Sequence, residues 1–220
     1  MSKPLLGAIA LLFLPCTFAE EPYCLNAVEV GNKSTTAIRC DQANTDPLDL
    51  KSNDLIKIAF KVLEIDPSLV EFKGCDGLAF GTTSAMEGSN AKYTVAYSSN
   101  VGRNVIAPVI HELGHVLQLE ASGGFKSLDA LYSRNQVELG ADYLAGIVFN
   151  AGIPDEPLAR FERNIELAGI YIPPDNSHND HDSPSKRAQA FRLGVFSEAN
   201  EPNIRAIHEN FQDNIYGTIN

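Results

Sequence analysis

The chain has 220 residues, 44% of them hydrophobic and 20% charged, which suits one domain with a packed core and is too short for two comfortable ones. Lys and Arg number 17 against 28 Asp and Glu, a formal net charge of -11. That balance argues against a nucleic-acid partner, because phosphate binding needs a face dominated by basic side chains. Beyond the N-terminus no run approaches the roughly 20 apolar residues of a membrane span.

Residues 1–19 read as a secretory signal: Lys3 is the basic start, Leu5 to Leu14 the short apolar stretch, and Thr17-Phe18-Ala19 the small-residue cleavage site before Glu20. A lipoprotein acylated at Cys16 is the rival, but Pro15 is a poor match to the small residue expected before it. The expected destination is the periplasm or the exterior, with residues 20–220 as a single mature domain. Cys24, Cys40 and Cys75 then meet an oxidising compartment where disulfides persist. A Cys24–Cys40 bridge would staple the irregular segment 20–50, although three cysteines do not determine their own pairing.

A helix is expected over Ser52 to Ile65, where Leu55, Ile56, Ala59, Phe60 and Leu63 recur at helical spacing, Ser52 or Asn53 can cap, and Asp66-Pro67 stops. Short strands are expected at Leu78 to Phe80 and Tyr93 to Tyr97, each after a glycine-bearing turn. The second half reads as helices: Arg103 to Leu119 up to Gly123-Gly124, Leu128 to Asn150, Glu156 to about Gly169, Pro184 to Phe196 and Ile204 to Phe211. The order is α+β, a small mixed sheet followed by a helical C-terminal half.

His111-Glu112-Leu113-Gly114-His115 lies within the second expected helix. Histidines four apart share one helix face and can chelate a single Zn²⁺, and Glu112 beside them can reach a water held at the metal. Zinc brings that water's pKa to roughly 7, and a carboxylate can accept its proton as general base. The cysteines lack C-x-x-C spacing, so they are not read as ligands. A third protein ligand is needed. Glu138, on the next helix, is the preferred candidate and His181 the rival. Asp142, one turn after Glu138 on the same face, can accept a hydrogen bond from the other ring nitrogen of His111 and set its tautomer. If Tyr93 to Ser98 is an edge strand, its unpaired backbone groups could hold an extended peptide. Tyr97 is then a candidate donor to the substrate oxygen, with a packed tyrosine as the alternative.

H-E-L-G-H followed by E-x-x-A-D at Glu138 to Asp142 resembles the gluzincin zinc peptidases. Glu138 to Gly146 looks like the E-L-x-A-D-x-x-A-G block of the bacterial neutral zinc metallopeptidases, relatives of the CAAX prenyl protease and HtpX group. The likeness spans roughly Tyr93 to Phe196. It implies a zincin-like fold with the active-site helix against a small sheet. It also implies that His181 and Arg187, six residues apart, stabilise the tetrahedral intermediate, although Asp182 stands where the group has proline; for Arg187 the alternatives are to orient His181 or to pair with a carboxylate. The expected function is zinc-dependent hydrolysis of peptides or unfolded protein. The alternative is a non-catalytic module that binds peptides, with zinc as its staple.

Overall fold

The computed structural model describes residues 25–26, 48–75, 81–84, 90–98, 105–152, 183–197 and 203–219. The 1–19 leader, Cys24, Cys40, the expected strand at 78–80, the expected helix at 156–169 and His181 lie outside the described residues.

Helix α1 runs Asp54–Val62. It begins where Asn53 Oδ1 accepts from the N–H groups of Leu55 (3.0 Å) and Ile56 (3.3 Å), partnering amides that a helix start otherwise leaves bare. It is shorter than expected at both ends. Leu50–Ser52 forms a separate 3-10 turn, and Glu64 takes a left-handed φ of 51° just past the helix.

The sheet is mixed. Strand β2, Val70–Cys75, pairs parallel with β4, Tyr93–Ser98, and β3, Gly81–Ser84, pairs antiparallel with the other side of β4. A two-residue strand β1, Leu25–Asn26, adds parallel to β3 through Leu25↔Thr82 and Asn26↔Thr83. The order is β1-β3-β4-β2. Strand β2 is not among the strands expected from the sequence. Its buried Val70 and Phe72 alternate with Glu71 and Lys73, a period of two too brief and too charged to stand out. The expectation that 93–98 forms a substrate-binding edge is corrected: β4 is hydrogen-bonded on both sides. Tyr93, Val95 and Tyr97 are buried, and so are Thr94 and Ala96, so no row of backbone groups is left for a peptide.

Helix α2, Ile106–Ser122, is the central element. Every residue from Val109 to Leu119 is buried, because β3 and β4, α1 and the later helices pack around it. After α3, Phe125–Leu131, comes α4, Arg134–Gly152. The single helix expected over 128–150 is thus two. Tyr132 turns extended, and a capping box starts α4 afresh: Ser133 N–H donates to Gln136 Oε1 (3.0 Å) while Gln136 N–H donates to Ser133 Oγ (3.3 Å). The S-x-x-Q signal was present in the sequence but lay inside an apolar pattern that ran through it. Helix α5, Pro184–Val195, is capped by Ser183 and lies along α4. Helix α6, Ile204–Asn210, is capped by Asn203 and runs on into a π-helical turn over Phe211–Ile215. The result is a predominantly helical α+β fold with a small mixed sheet. Among the described residues no helix is long and apolar enough to cross a membrane.

Helices α2 and α4 meet at Gly114. A Cβ there would come within 3.2 Å of the Ala141 Cα and carbonyl oxygen, so a larger side chain would wedge the helices apart. The glycine between the motif histidines therefore sets how closely α4 approaches them.

His208 on α6 is 2% exposed, and its Nδ1 has no hydrogen-bond partner among the described residues. Burial brings its pKa down to about 4, with Asp213 pulling weakly the other way. A histidine whose folded pKa lies below its unfolded value stabilises fully above about pH 6.5 and loses that contribution as pH falls towards 4. Urea unfolding at pH 7 and pH 4 should show His208 contributing about 3 kcal/mol to the drop. His208→Leu should be less acid-sensitive than wild type by a comparable amount. An identical pH dependence in the two proteins would refute this account of His208.

Candidate metal centre

The centre forms where α2 faces the first turns of α4. Helical spacing stacks His111 over His115, with ring centroids 4.7 Å apart and planes at 86°. Glu138, from α4, reaches between them: Oε2 lies 3.3 Å from His111 Nε2 and Oε1 3.7 Å from His115 Nε2. All three residues are buried, and one ligand atom from each lies within 4.8 Å of the others. A tetrahedral ion with ligand bonds near 2.0–2.1 Å has ligand atoms roughly 3.3 Å apart, so these spacings fit one metal ion. A second observation agrees. His115 Nε2 is fully buried and makes no hydrogen bond among the described residues, a costly state for a polar atom unless something else accepts its lone pair. The group can therefore hold a metal ion.

Each histidine is held from behind. His111 Nδ1 lies 2.8 Å from Asp142 Oδ1. Arg187, on α5, grips the same carboxylate with two bonds, Nε to Oδ2 at 2.7 Å and Nη2 to Oδ1 at 2.8 Å. Burial alone would raise the Asp142 pKa, but the Arg187 charge and the hydrogen bonds from Arg187 and His111 outweigh it and bring it down to about 2. Asp142 is thus an anion that can only accept. His111 must carry its proton on Nδ1, leaving the Nε2 lone pair towards Glu138. His115 Nδ1 is 2.8 Å from Gln118 Oε1.

Glu112 stands beside the ligand group and is 1% exposed. The Thr82 hydroxyl of β3 lies 2.9 Å from both Glu112 Oε2 and the Glu112 carbonyl oxygen. With one hydrogen, it can donate to only one of them at a time. Oε1 has no hydrogen-bond partner among the described residues. Burial pushes the Glu112 carboxyl up, and Glu138 adds to the rise; the two histidines and Thr82 oppose it.

The structure brings together His111, Glu112, His115, Glu138 and Asp142, and adds Arg187 behind Asp142. In the described contacts, the Arg187 guanidinium faces that carboxylate; the resemblance cast it as a stabiliser of the intermediate. Tyr97 is fully buried, and its hydroxyl accepts the Leu48 N–H at 3.4 Å; it is not presented on an edge strand. Two residues escaped sequence reading. Gln118 had a usable signal, since it lies three positions after His115 on the same helix. Thr82 had none, being 30 residues from Glu112 on a strand whose register only the folded sheet sets.

Family models, curated proteins and solved structures were all compared with the chain, and none matches.

Arg187→Met should leave the Asp142 carboxylate buried without the guanidinium that holds it. Breaking a buried pair from one side costs about 3–5 kcal/mol, readable as a lowered urea midpoint. In Asp142→Asn the same replacement should cost much less. Equal losses in both backgrounds would mean that the pair is not coupled.

Proposed function

We propose that the chain is a zinc-dependent peptidase of the gluzincin type, with a zincin-like arrangement, acting on peptides or unfolded protein. The observation that carries this reading is the placement of Glu112. It lies beside two histidines and a glutamate spaced for one metal ion, with one carboxylate oxygen against Thr82 and the other without a hydrogen bond among the described residues. A metal staple alone needs no such carboxylate. His111, His115 and Glu138 would hold the ion: two neutral imidazoles and one carboxylate suit zinc, and three protein ligands leave a position open for chemistry. The signal-like leader fits a periplasmic or extracellular site of action.

When bound, zinc would polarise the scissile carbonyl and make a water more acidic. Glu112 Oε1 takes a proton from the attacking water as the water oxygen bonds to the carbonyl carbon and the C=O π pair moves onto the carbonyl oxygen. Glu112 then passes that proton to the amine nitrogen as the C–N bond breaks, and the pair on oxygen re-forms the C=O bond when the amine leaves. Thr82 holds Oε2, so the carboxylate keeps one orientation through both transfers. Asp142, anchored by Arg187, keeps the His111 ring turned with Nε2 towards the ligand group. His181 lies outside the described residues and is retained as a candidate stabiliser of the tetrahedral intermediate, with Arg187 second.

The test is metal analysis of the purified chain together with hydrolysis of an unfolded protein such as casein. Wild type should carry about one zinc per chain and lose activity to a chelator, with recovery on adding zinc. Glu112→Gln should keep the zinc and lose about 10²–10⁴-fold in turnover. Full activity in that variant would rule out the mechanism. Bound zinc with peptide binding and no turnover would favour the non-catalytic module.

Thr82→Val should keep the metal and reduce kcat by about 10-fold or more, the scale of one hydrogen bond to a charged group. Thr82→Ser should retain most of the activity. Loss of zinc in Thr82→Val would instead place the residue in the support of the metal.

A further inference from the structure

Gln118 is fully buried at the far end of the motif helix, and both ends of its amide are engaged. Oε1 lies 2.8 Å from His115 Nδ1, and Nε2 donates to the Val137 carbonyl at 2.8 Å. Val137 immediately precedes Glu138 on α4. One side chain therefore ties the ring of one candidate ligand to the backbone that presents another.

The amide has one sensible orientation. Turned over, it would place its carbonyl oxygen against the Val137 carbonyl, two acceptors face to face. With the NH₂ on Val137, the oxygen towards His115 can only accept, so His115 Nδ1 must carry the proton and Nε2 the lone pair. His115 Nε2, which faces Glu138, is a buried nitrogen with no hydrogen bond among the described residues. The slot for the amide is also shaped for it. A Cβ on Gly140 would lie 2.7 Å from Gln118 Nε2 and 2.6 Å from Gln212 Nε2, so a side chain here would push the amide out of its place.

We infer that Gln118 is the positioning residue of His115: it sets the Nδ1–H tautomer and ring angle before any metal arrives, and so strengthens metal binding. The inference rests on the metal-site part of the function proposed above and not on peptide hydrolysis. The two histidines are supported by different chemistry. A carboxylate braced by Arg187 backs His111, whereas a neutral amide backs His115. A neutral group there orients the ring without adding another buried negative charge beside Glu112, Glu138 and Asp142.

The test uses the full chain with ¹⁵N-labelled histidine, stripped of metal and held above pH 8. Two-bond ¹H–¹⁵N correlation spectra read each tautomer, and competition with a chromophoric chelator reads the zinc Kd. Wild type should show His115 as Nδ1–H. Gln118→Leu should lose that preference at His115 alone and bind zinc about 10–100-fold more weakly, the usual range for losing a partner behind a ligand. Gln118→Glu keeps the acceptor and gives up the donor, so it should keep the Nδ1–H form. An Nε2–H tautomer at His115 in wild type overturns the inference, and this reading stands even if Gln118→Leu does not fold. A folded Gln118→Leu with lower thermal stability but unchanged tautomer and zinc Kd overturns it as well. A wild-type chain with His115 as Nδ1–H and no affinity for zinc would sink the peptidase reading while supporting the tautomer role of Gln118.

Discussion

The close crossing of α2 over α4 at Gly114 and Ala141 is the constraint on which the site depends. With no side chain at Gly114, the Ala141 backbone comes within ordinary contact of the motif helix. His111 and His115 stand one turn apart on that face, so the same crossing delivers Glu138 between them and Asp142 behind His111. Interiors packed at crystal-like density transmit small displacements. A wedge at Gly114 would therefore move two ligand-bearing helices apart together.

The crossing concentrates charge where water cannot screen it. Glu112, Glu138 and Asp142 are all buried around two imidazoles, and Arg187 is the buried guanidinium among the described residues. Its two bonds to Asp142 neutralise that carboxylate. Glu112 and Glu138 remain beside the histidine nitrogens. Buried carboxylates are costly unless paired or bound to a cation. A divalent ion among His111, His115 and Glu138 would offset that cost directly, and a bound dication also favours the ionised form of Glu112. The electrostatics and the ligand spacing thus argue for the same occupant by independent routes.

The sheet contributes through β3. Strand β4 is the buried spine, paired on both sides and covered on both faces. Strand β3 brings Thr82 to Glu112. The candidate base is therefore fixed between a helix and a strand, and the ligands between two helices. A site built on packed elements holds its geometry better than one built on loops.

Much of this was legible in the chain itself, because the informative patterns are local. The spacing of His111 and His115 follows from the helix period, and the apolar residues around them mark the helix without reference to anything distant. Glu138 and Asp142 could be paired with that motif because they too lie one helical turn apart. Gln118 was within reach of the same reasoning. What the sequence did not determine is what depends on register between distant segments. Strand β4 was expected at an edge and is central, since pairing on both sides is decided by where β2 and β3 land. Thr82 reaches Glu112 only through that pairing, and Arg187 meets Asp142 only through the docking of α5 on α4. The helix period alone puts the histidines on one face and allows a metal site. Tertiary packing decides which groups back each ring and hold the carboxylate, because those contacts join residues that no local periodicity relates.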